Sequence, residues 1–341
     1  MNVTYPILGI DVSKAKLDIC VRDANKQRTS LLVPNTAKGF ASILTFLQKR
    51  GLEVQGSTCC LEATSVYSAG IALYLFEHGA TVFRVNPAAV HDFMGSELRR
   101  AKTDKADAIL IAEFAWAKAE RLEPWKPLPA SYEELRDLVR RLQEIRRAGA
   151  RTKNQIEKTT YLTSKAAATL VRSLQADLAH HKKQATVIRK AIHACLKQDA
   201  AMQQRFALLT SAKGVGEVTA VTFMAEVPDI HLFSHAKKLA VFAGLTPHFQ
   251  HSGTRTPVSQ PISKMGSARL RQAFYMAALT AQRFNPPIAQ FAQRLRNEGK
   301  KPMLVNVAVA RKLLQQLYGI DKHQTPFDPN YHLRLGTEGT A

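Results

Sequence analysis

The sequence predicts an α/β domain at the N-terminus, then a long helical pair, then a mostly α-helical C-terminal domain. Three observations support this order. Short apolar runs alternate with helix-period segments over residues 1–117. Residues 132–200 contain no proline and a single glycine, and apolar helical segments joined by short turns return from about residue 205. A chain of 341 residues can form two or three domains with a sizeable core.

The first 117 residues are predicted to run βββ-α-β-α-β-α-α. The segment "PILGIDVSKAKLDICVRD" holds two short apolar runs joined by a polar turn, and a third run follows in "TSLLVP", as in a three-stranded meander. "STCCLEAT" and "ATVFRVNP" are predicted to be buried strands, because they carry almost no charge. "TAKGFASILTFLQKRG" and "SVYSAGIALYLFEHG" have the apolar spacing of helices.

The middle of the chain is predicted to be a long antiparallel helical pair after a proline-containing linker, "WKPLPAS". Leu135, Leu138, Leu142 and Ile145 recur at steps of three and four residues. The segment 136–158 holds eight basic and three acidic residues, which suits either a solvated coiled-coil face or an arm for phosphate tracking or self-association. The candidate nucleic-acid contacts on this pair are Arg140, Arg141, Arg146 and Arg147.

The charge of the chain favours a polyanionic partner. Lys plus Arg is 48 and Asp plus Glu is 27, which gives a formal charge of +21. Residues 1–100 contribute only +3 of this, so the partner-binding surface is expected beyond residue 100. The four cysteines form no C-x-x-C pair, which argues against a zinc knuckle or a disulfide framework. With neither a signal-peptide pattern nor a membrane-length apolar run, the expected location is the cytoplasm, in association with the nucleoid.

Four carboxylates suggest a metal site. Asp11 and Glu62 stand near the ends of two uncharged strands, and parallel strands would bring them to one sheet edge. Asp104 and Asp107 lie one turn apart at the start of a helix and share a face. Oxygen ligands of this kind suit Mg²⁺ or Mn²⁺, and two such ions can assist an in-line phosphoryl transfer. Taken alone, however, Asp104 and Asp107 fit the ordinary preference for acid in a first helical turn, and Asp11 fits a turn after a strand.

The motifs "GIDVSK", "LEAT" and "KTDKADA", in this order and spacing, resemble those of the DEDD transposases. These are the recombinases of one large group of bacterial insertion sequences, the one-hundred-and-ten family, which is related to the pilin-gene invertases. The resemblance runs to about residue 318 and implies a RuvC-type, RNase H-like fold for the N-terminal domain. It makes Asp11, Glu62, Asp104 and Asp107 the catalytic, metal-binding tetrad. One departure is Ser65, where a glycine commonly follows "EAT".

Pattern and resemblance together divide the chain into four expected parts. They are a RuvC-like catalytic domain over 1–124, a helical coiled-coil linker and dimerisation region over 125–204, a C-terminal transposase domain over 205–319, and a weakly ordered tail over 320–341. Lys102 and Lys105 fall away from the aspartate face of their helix, so they are candidates for holding a flanking phosphate.

The C-terminal part carries two further signals. "KGVGEVTAV" resembles the turn of a helix-hairpin-helix, in which Lys213, Gly214 and Gly216 would approach a phosphate; a plain glycine turn between packed helices is the alternative.

The segment 242–278 resembles the C-terminal signature of the same family, where a serine followed by glycine is the nucleophile. The matching residue is Ser252, with Ser259 and Ser263 as competing candidates and no evident base partner, since the adjacent His251 need not face it. Nearby cations that would hold the scissile phosphate are Arg255, Lys264, Arg269 and Arg271. His248 and His251 have a metal-like spacing, but they lack a third ligand and are interpreted as loop histidines.

The resemblance implies a DNA recombinase that cuts and rejoins strands through a phosphoserine link. It further implies donor and target double-stranded DNA, a structured bridge RNA as guide, and a homodimer that assembles to a tetramer, with no membrane partner. Two alternatives remain open on the residues alone. One is a metal-dependent junction nuclease with water as nucleophile, and the other is a nucleic-acid-binding protein with a decayed site.

Overall fold

The structure is a computed structural model that describes residues 6–63, 67–96, 104–247 and 262–330. The chain divides into two compact units, Met1–Pro127 and Leu128–Ala341, and each is described by itself.

The first unit is built on a five-stranded mixed sheet with the strand order β3-β2-β1-β4-β5. β1 pairs with β2, and β2 with β3, in antiparallel register, whereas β1 pairs with β4, and β4 with β5, in parallel register. The strands are β1 (Ile7–Val12), β2 (Lys16–Arg22), β3 (Arg28–Pro34), β4 (Thr58–Glu62) and β5 (Thr81–Val85).

Helices cover both faces of this sheet, because the central strands are apolar on both sides. One face buries Leu8, Ile10 and Leu61 against α1 and α2, and the other buries Ile7, Cys60 and their neighbours against α3 and α4. The helices are α1 (Ala37–Gln48), α2 (Ser68–Glu77), α3 (Pro87–Ser96) and α4 (Asp104–Lys118), followed by a 3₁₀ turn at Ala119–Arg121. The predicted order βββ-α-β-α-β-α-α, and with it an α/β N-terminal region, is confirmed.

The helix α4 lies directly over β1 and runs antiparallel to it. A methyl group at Gly9 would overlap the backbone of Ala108 and Ala112, so only glycine allows this approach. Further along the helix, Glu113 pairs with Arg28 at 2.5 Å, and Arg28 stands in register with Arg22, next to the start of β1. The first turn of α4 therefore lies toward the carboxyl end of β1.

The second unit is helical in its described part, as predicted for the C-terminal region. Its helices are α5 (Ala130–Thr159), α6 (Ala167–Gln198), α7 (Ala200–Ser211), α8 (Glu217–Glu226), α9 (Ala236–Phe242), α10 (Ala268–Phe284), α11 (Pro286–Asn297) and α12 (Pro302–His323), with a 3₁₀ turn at Ile230–Leu232.

The helices α5 and α6 form the predicted antiparallel pair. Ser131 at one end donates a hydrogen bond to Asp199 at 3.0 Å, and Gly149 faces His181 further along. The N-terminal half of α5 and the C-terminal half of α6 share one hydrophobic core with α7–α12. This core therefore continues across the domain boundary expected between residues 204 and 205.

A buried ion pair ties α7 to the end of α12. The Arg205 guanidinium donates to the Asp321 carboxylate at 2.6 and 2.9 Å and to the carbonyl oxygens of Val227 and Pro228 at 2.7 Å. Burial works against the charge of Arg205, but the hydrogen bonds and charge of Asp321 outweigh it, and the pKa of Arg205 is raised. Because Ile320 and Asp321 are buried, the helix continues to His323, beyond the start expected for the tail.

The helices within the described ranges are each too short or too polar to cross a lipid bilayer.

Candidate active site

Asp11 and Glu62 lie side by side at the sheet edge where β1 and β4 end. Ile10 is in parallel register with Leu61, so the next residues along the two strands are neighbours. Alternation along each strand turns both carboxylates toward the α4 face, the same face as Gly9 and Cys60. Both side chains are half-buried.

The first turn of α4 supplies the third acidic position at this edge. Asp107 immediately precedes Ala108, which packs on Gly9, and it is half-buried. Asp104 begins the helix one turn earlier, but its side chain and that of Lys105 lie outside what the structure describes, as does all of Lys102. The backbone thus brings the ends of β1, β4 and the start of α4 to one place.

Cys60 lies on the same face of the sheet as these carboxylates, Cys59 lies on the opposite face, and both are fully buried. Burial raises the pKa of Cys59 to about 12, and burial, together with the charges of Cys59 and Glu62, raises the pKa of Cys60. A buried neutral thiol is a poor nucleophile and a poor metal ligand. The chemistry of this edge is therefore that of oxygen ligands.

The donor set suits a hard divalent cation. Aspartate and glutamate oxygens are the ligands that Mg²⁺ and Mn²⁺ prefer. Among the side chains that the structure describes, no three His, Cys, Asp or Glu residues converge closely enough to hold an ion by themselves. A tetrad at this edge would need Asp104, whose side chain is outside that set.

The sequence interpretation missed a further carboxylate on this face. Asp18 of β2 stands directly opposite Asp11 in the antiparallel register, so both side chains project from the same side of the sheet. The Lys16 ammonium lies 3.0 Å from the Asp18 carboxylate. Side chains alternate between the two faces along a strand, so Asp18 and Lys16 lie on the same side of β2 as Cys20, which packs against α4. This period of two in the sequence could have predicted the side on which Asp18 lies.

The serine loop is described only at its two ends. Ser252, Arg255, Ser259, His248 and His251 lie outside the described residues. An isolated antiparallel bridge joins Pro247 to Ile262, and the Ser263 amide donates to the Thr246 carbonyl at 2.9 Å. The residues that flank the segment 248–261 therefore lie next to each other.

The described cations after this loop differ in their surroundings. Lys264 is exposed and has a positive φ of 54°. Arg271 donates to the Ala243 carbonyl at 3.0 Å, which commits part of its guanidinium to holding α10 against the end of α9. Arg269 instead lies 4.0 Å from the Glu226 carboxylate with over a third of its side chain exposed.

The glycine turn between α7 and α8 has a packing function at its first glycine. Gly214 has a φ of +96°, and a methyl group there would lie 2.6 Å from Ala281 of α10. Gly216 precedes α8 and has open space around it, and Lys213 is exposed. Glu217 follows, and its carboxylate pairs with Arg189 at 2.5 Å, which holds the pKa of Glu217 below its usual range. The negative charge of the Glu217 carboxylate would repel a phosphate bound at this turn.

The four arginines named on α5 differ in their surroundings. Arg141 forms an exposed pair with Glu144 at 3.3 Å, and Arg147 donates to Gln272 at 3.0 Å. Arg146 lines a cavity of about 400 Å³ at the start of α8. Arg140 shares Glu226 with Arg269.

Comparison with known protein families agrees with this organisation. A family model described as "Transposase", for the DEDD type of IS110 elements, matches residues 8–163. A second model, described as "Transposase IS116/IS110/IS902 family", matches residues 206–293. The first match covers the sheet, α4 and α5, and the second runs from within α7 into α11.

This chain belongs to the IS110 family of transposases. The resemblance found in the sequence motifs is confirmed, and so is the class of enzyme, a DNA transposase or recombinase.

Individual relatives of this IS110-family transposase include two of matching length. The pilin gene-inverting proteins of Moraxella bovis and Moraxella lacunata are each 27% identical over 335 residues, which is 97% of this chain and 100% of theirs. A transposase for insertion sequence element IS1111A from Coxiella burnetii is 44% identical over 61 residues, 18% of this chain and 16% of its own.

Proposed function

We propose that the chain breaks and rejoins the DNA strands of an insertion sequence through a covalent serine–DNA intermediate at a Mg²⁺- or Mn²⁺-binding carboxylate tetrad. The observation that carries this proposal is the placement of Asp11 and Glu62 at the ends of two adjacent parallel strands, on the face that the start of α4 covers. Asp104 and Asp107 complete the tetrad from that helix. The family match over residues 8–163 supports dependence on a divalent metal.

The sheet order supports a RuvC-type, RNase H-like fold for the N-terminal unit. A three-stranded antiparallel meander, β1 to β3, is extended on the β1 side by the parallel strands β4 and β5. This topology leaves β1 in the centre, with its carboxyl end flanked by β4.

The residues of this edge have distinct tasks. The tetrad carboxylates hold the metal, which when bound supplies positive charge to stabilise the attacking and leaving oxygens of the phosphoryl transfer. Gly9 lets α4 approach closely enough to bring Asp107 to the sheet edge. Asp18 orients Lys16, whose ammonium attracts the DNA backbone beside the tetrad.

Ser252 is the nucleophile in this proposal. Its support is the family signature around it, within the matched segment 206–293. Attack by the serine hydroxyl forms a bond from Oγ to phosphorus and breaks the bond from phosphorus to the leaving sugar oxygen. The serine proton passes to a base and the leaving oxygen takes up a proton. Attack of another strand's hydroxyl on the phosphoserine reverses these steps, so rejoining needs no nucleotide cofactor.

The partners in this proposal are donor and target double-stranded DNA, a structured bridge RNA and further copies of the chain in a dimer and tetramer. The charge of +18 beyond residue 100 is suited to either nucleic acid. Base pairing with the RNA would select the sequence, while the protein holds backbone and shape. The Moraxella relatives are named pilin gene-inverting proteins, so inversion joins transposition as a proposed outcome of the same chemistry.

The deciding experiment traps the covalent intermediate on a nicked suicide DNA substrate with Mg²⁺. Wild type is expected to form a protein–DNA adduct, and Ser252→Ala to form none, while Ser259→Ala and Ser263→Ala retain it. An adduct from Ser252→Ala would reject the assigned serine. Cleavage without any adduct in wild type would make the chain a nuclease that uses water.

The tetrad is tested with Glu62→Gln beside Glu77→Gln, an exposed glutamate on α2. Glu62→Gln is expected to abolish adduct formation and Glu77→Gln to leave it intact. Unchanged activity in Asp11→Asn would instead indicate a chain whose chemistry lies elsewhere. Sequencing of nucleic acid that co-purifies with the protein tests the guide: a discrete structured RNA supports it, and random fragments contradict it.

A further inference from the structure

Glu226, at the end of α8, is a buried carboxylate between arginines of two other helices. Its Oε2 accepts a hydrogen bond from the Ser267 hydroxyl at 2.9 Å. Its Oε1 lies 3.8 Å from Nε of Arg140 on α5 and 4.0 Å from Nη1 of Arg269 on α10. The glutamate side chain is 10% exposed, whereas the two arginines are 39% and 38% exposed. The carboxylate is thus the buried anchor of a partly exposed arginine pair.

The cluster has more positive charge than its single carboxylate balances. Burial lowers the pKa of Arg140, and repulsion from Arg269 and Arg136 lowers it further, although Glu226 acts in the opposite direction. Glu226 Oε1 and Arg140 Nε are buried, and within the described part of the chain neither has a hydrogen-bond partner. Two guanidinium groups near one carboxylate leave an excess positive charge, and the exposed parts of the two arginine side chains can meet an anion.

The arginine pair stands at the base of the serine loop. Ser267, which holds Glu226, is also the N-cap of α10, and its amide donates to the Phe242 carbonyl at 2.7 Å. The bridge between Pro247 and Ile262 closes the loop five residues before Ser267. The amide groups at the start of α10 add a partial positive charge to this location.

We propose that Glu226 is a positioning residue that holds Arg140 and Arg269 as a clamp for one backbone phosphate of the substrate DNA. This rests on the proposed function, because the phosphate held by the two arginines would belong to the DNA that the chain cuts and rejoins. Arginine presents paired N–H donors that match a phosphate. Two unanchored arginines would repel each other, whereas a shared carboxylate fixed to α8 and Ser267 keeps both in place before DNA binds.

The substitution Glu226→Gln distinguishes a positioning role of Glu226 from a plain effect of its charge, because the two predict opposite changes in the Kd for DNA. Removal of the carboxylate raises the net charge by one, so long-range electrostatics alone would tighten DNA binding. Loss of the anchor is instead expected to raise the Kd for a double-stranded DNA of mixed sequence by roughly three- to tenfold, which corresponds to about one ordinary hydrogen bond. The Kd is measured by fluorescence anisotropy over a series of salt concentrations.

Glu144→Gln is the matched control, with the same change of charge on an exposed surface pair of α5. It is expected to leave the Kd unchanged or slightly lower. A Glu226→Gln protein that binds as tightly as this control would overturn the proposal.

Two further variants keep the test informative if Glu226→Gln folds poorly. Arg269→Lys keeps the charge but loses the planar donor pair, so weaker binding is expected at equal net charge. In an Arg140→Ala/Arg269→Ala background, Glu226→Gln should have no further effect, because the groups it positions are gone. An undiminished effect in that background, or a loss confined to RNA of the same sequence, would contradict the DNA clamp. Since the readout is binding, it stands independently of whether Ser252→Ala still forms the covalent adduct.

Discussion

Gly9 of β1 and Ala108 of α4 are in direct backbone contact. A methyl group on Gly9 would overlap the Ala108 carbonyl oxygen and the Ala112 amide nitrogen. The contact fixes the height of α4 above the sheet, and Asp107 is the residue just before it. The distance from the helical aspartates to Asp11 and Glu62 therefore depends on residue 9 being a glycine, which has no side chain.

Gly9→Ala is expected to lower both stability and activity. The added methyl must push α4 away from the sheet, which costs about 1 to 3 kcal/mol as overpacking does elsewhere. It also moves Asp107 outward, so the Mg²⁺ concentration for half-maximal DNA cleavage should rise. Thermal unfolding and a Mg²⁺ titration of cleavage measure the two effects.

Gly70→Ala is the control, because a methyl group there would meet only the Phe40 ring at 3.5 Å, an ordinary contact, within helix α2. It should be neutral or stabilising. If Gly9→Ala cleaves DNA with an unchanged Mg²⁺ requirement, the contact does not set the position of the aspartates.

Asp18→Asn and Lys16→Ala test the ion pair beside Asp11. If Asp18 acts by orienting Lys16, both variants should weaken DNA binding to a similar extent, by roughly threefold for one phosphate contact. Their Mg²⁺ requirement for cleavage should equal that of wild type, in contrast to Asp11→Asn. A raised Mg²⁺ requirement in Asp18→Asn would make Asp18 a metal ligand instead.

Asp321→Asn is expected to destabilise the helical unit by about 3 to 5 kcal/mol, because it leaves the buried Arg205 charge without a counter-charge. Denaturant unfolding of the full chain measures the loss. Glu298 forms an exposed ion pair with Arg294 at the end of α11. Glu298→Gln breaks this pair and should lower the free energy of unfolding by less than about 1 kcal/mol. Similar losses in both variants would show that Arg205 has found another partner.

Asp199 should make stability depend on acid pH. It caps α7, and the hydrogen bonds that its carboxylate accepts from the Met202 amide and the Ser131 hydroxyl hold its pKa below the ordinary 3.8. A lowered pKa in the folded state gives stability that is present above 3.8 and is lost as the pH falls through the folded value. The excess stability of wild type over Asp199→Asn, at most about 1 kcal/mol for this solvent-exposed group, should therefore shrink below about pH 4. A difference that stays constant from about pH 3 to about pH 7 would contradict this linkage.

The sheet and the positions of Asp11 and Glu62 could be read from the sequence because each follows an uncharged strand. The placement of α4 could not, since it depends on a contact between residues 9 and 108, ninety-nine positions apart. Helix α11 has a clear signal in the sequence, because Asn285 caps it and two prolines occupy its first turn. The Glu226 cluster has no local signature, because its members come from α5, α8 and α10 and meet only when these helices pack.

Arg271 and Gly214 show a second limit of predicting function from sequence motifs. Both belong to segments that resemble nucleic-acid-binding motifs, yet each has a packing task that would explain its presence alone. Arg271 holds the Ala243 carbonyl, and Gly214 makes room for Ala281. Residue type and spacing do not distinguish a contact to DNA from a contact to the next helix.

The bridge between Pro247 and Ile262 makes the residues that flank the segment 248–261 neighbours in space. A short turn could therefore link them without stretching the helices on either side. Such a replacement is expected to leave the helical unit folded, and it removes Ser252, the nucleophile proposed above.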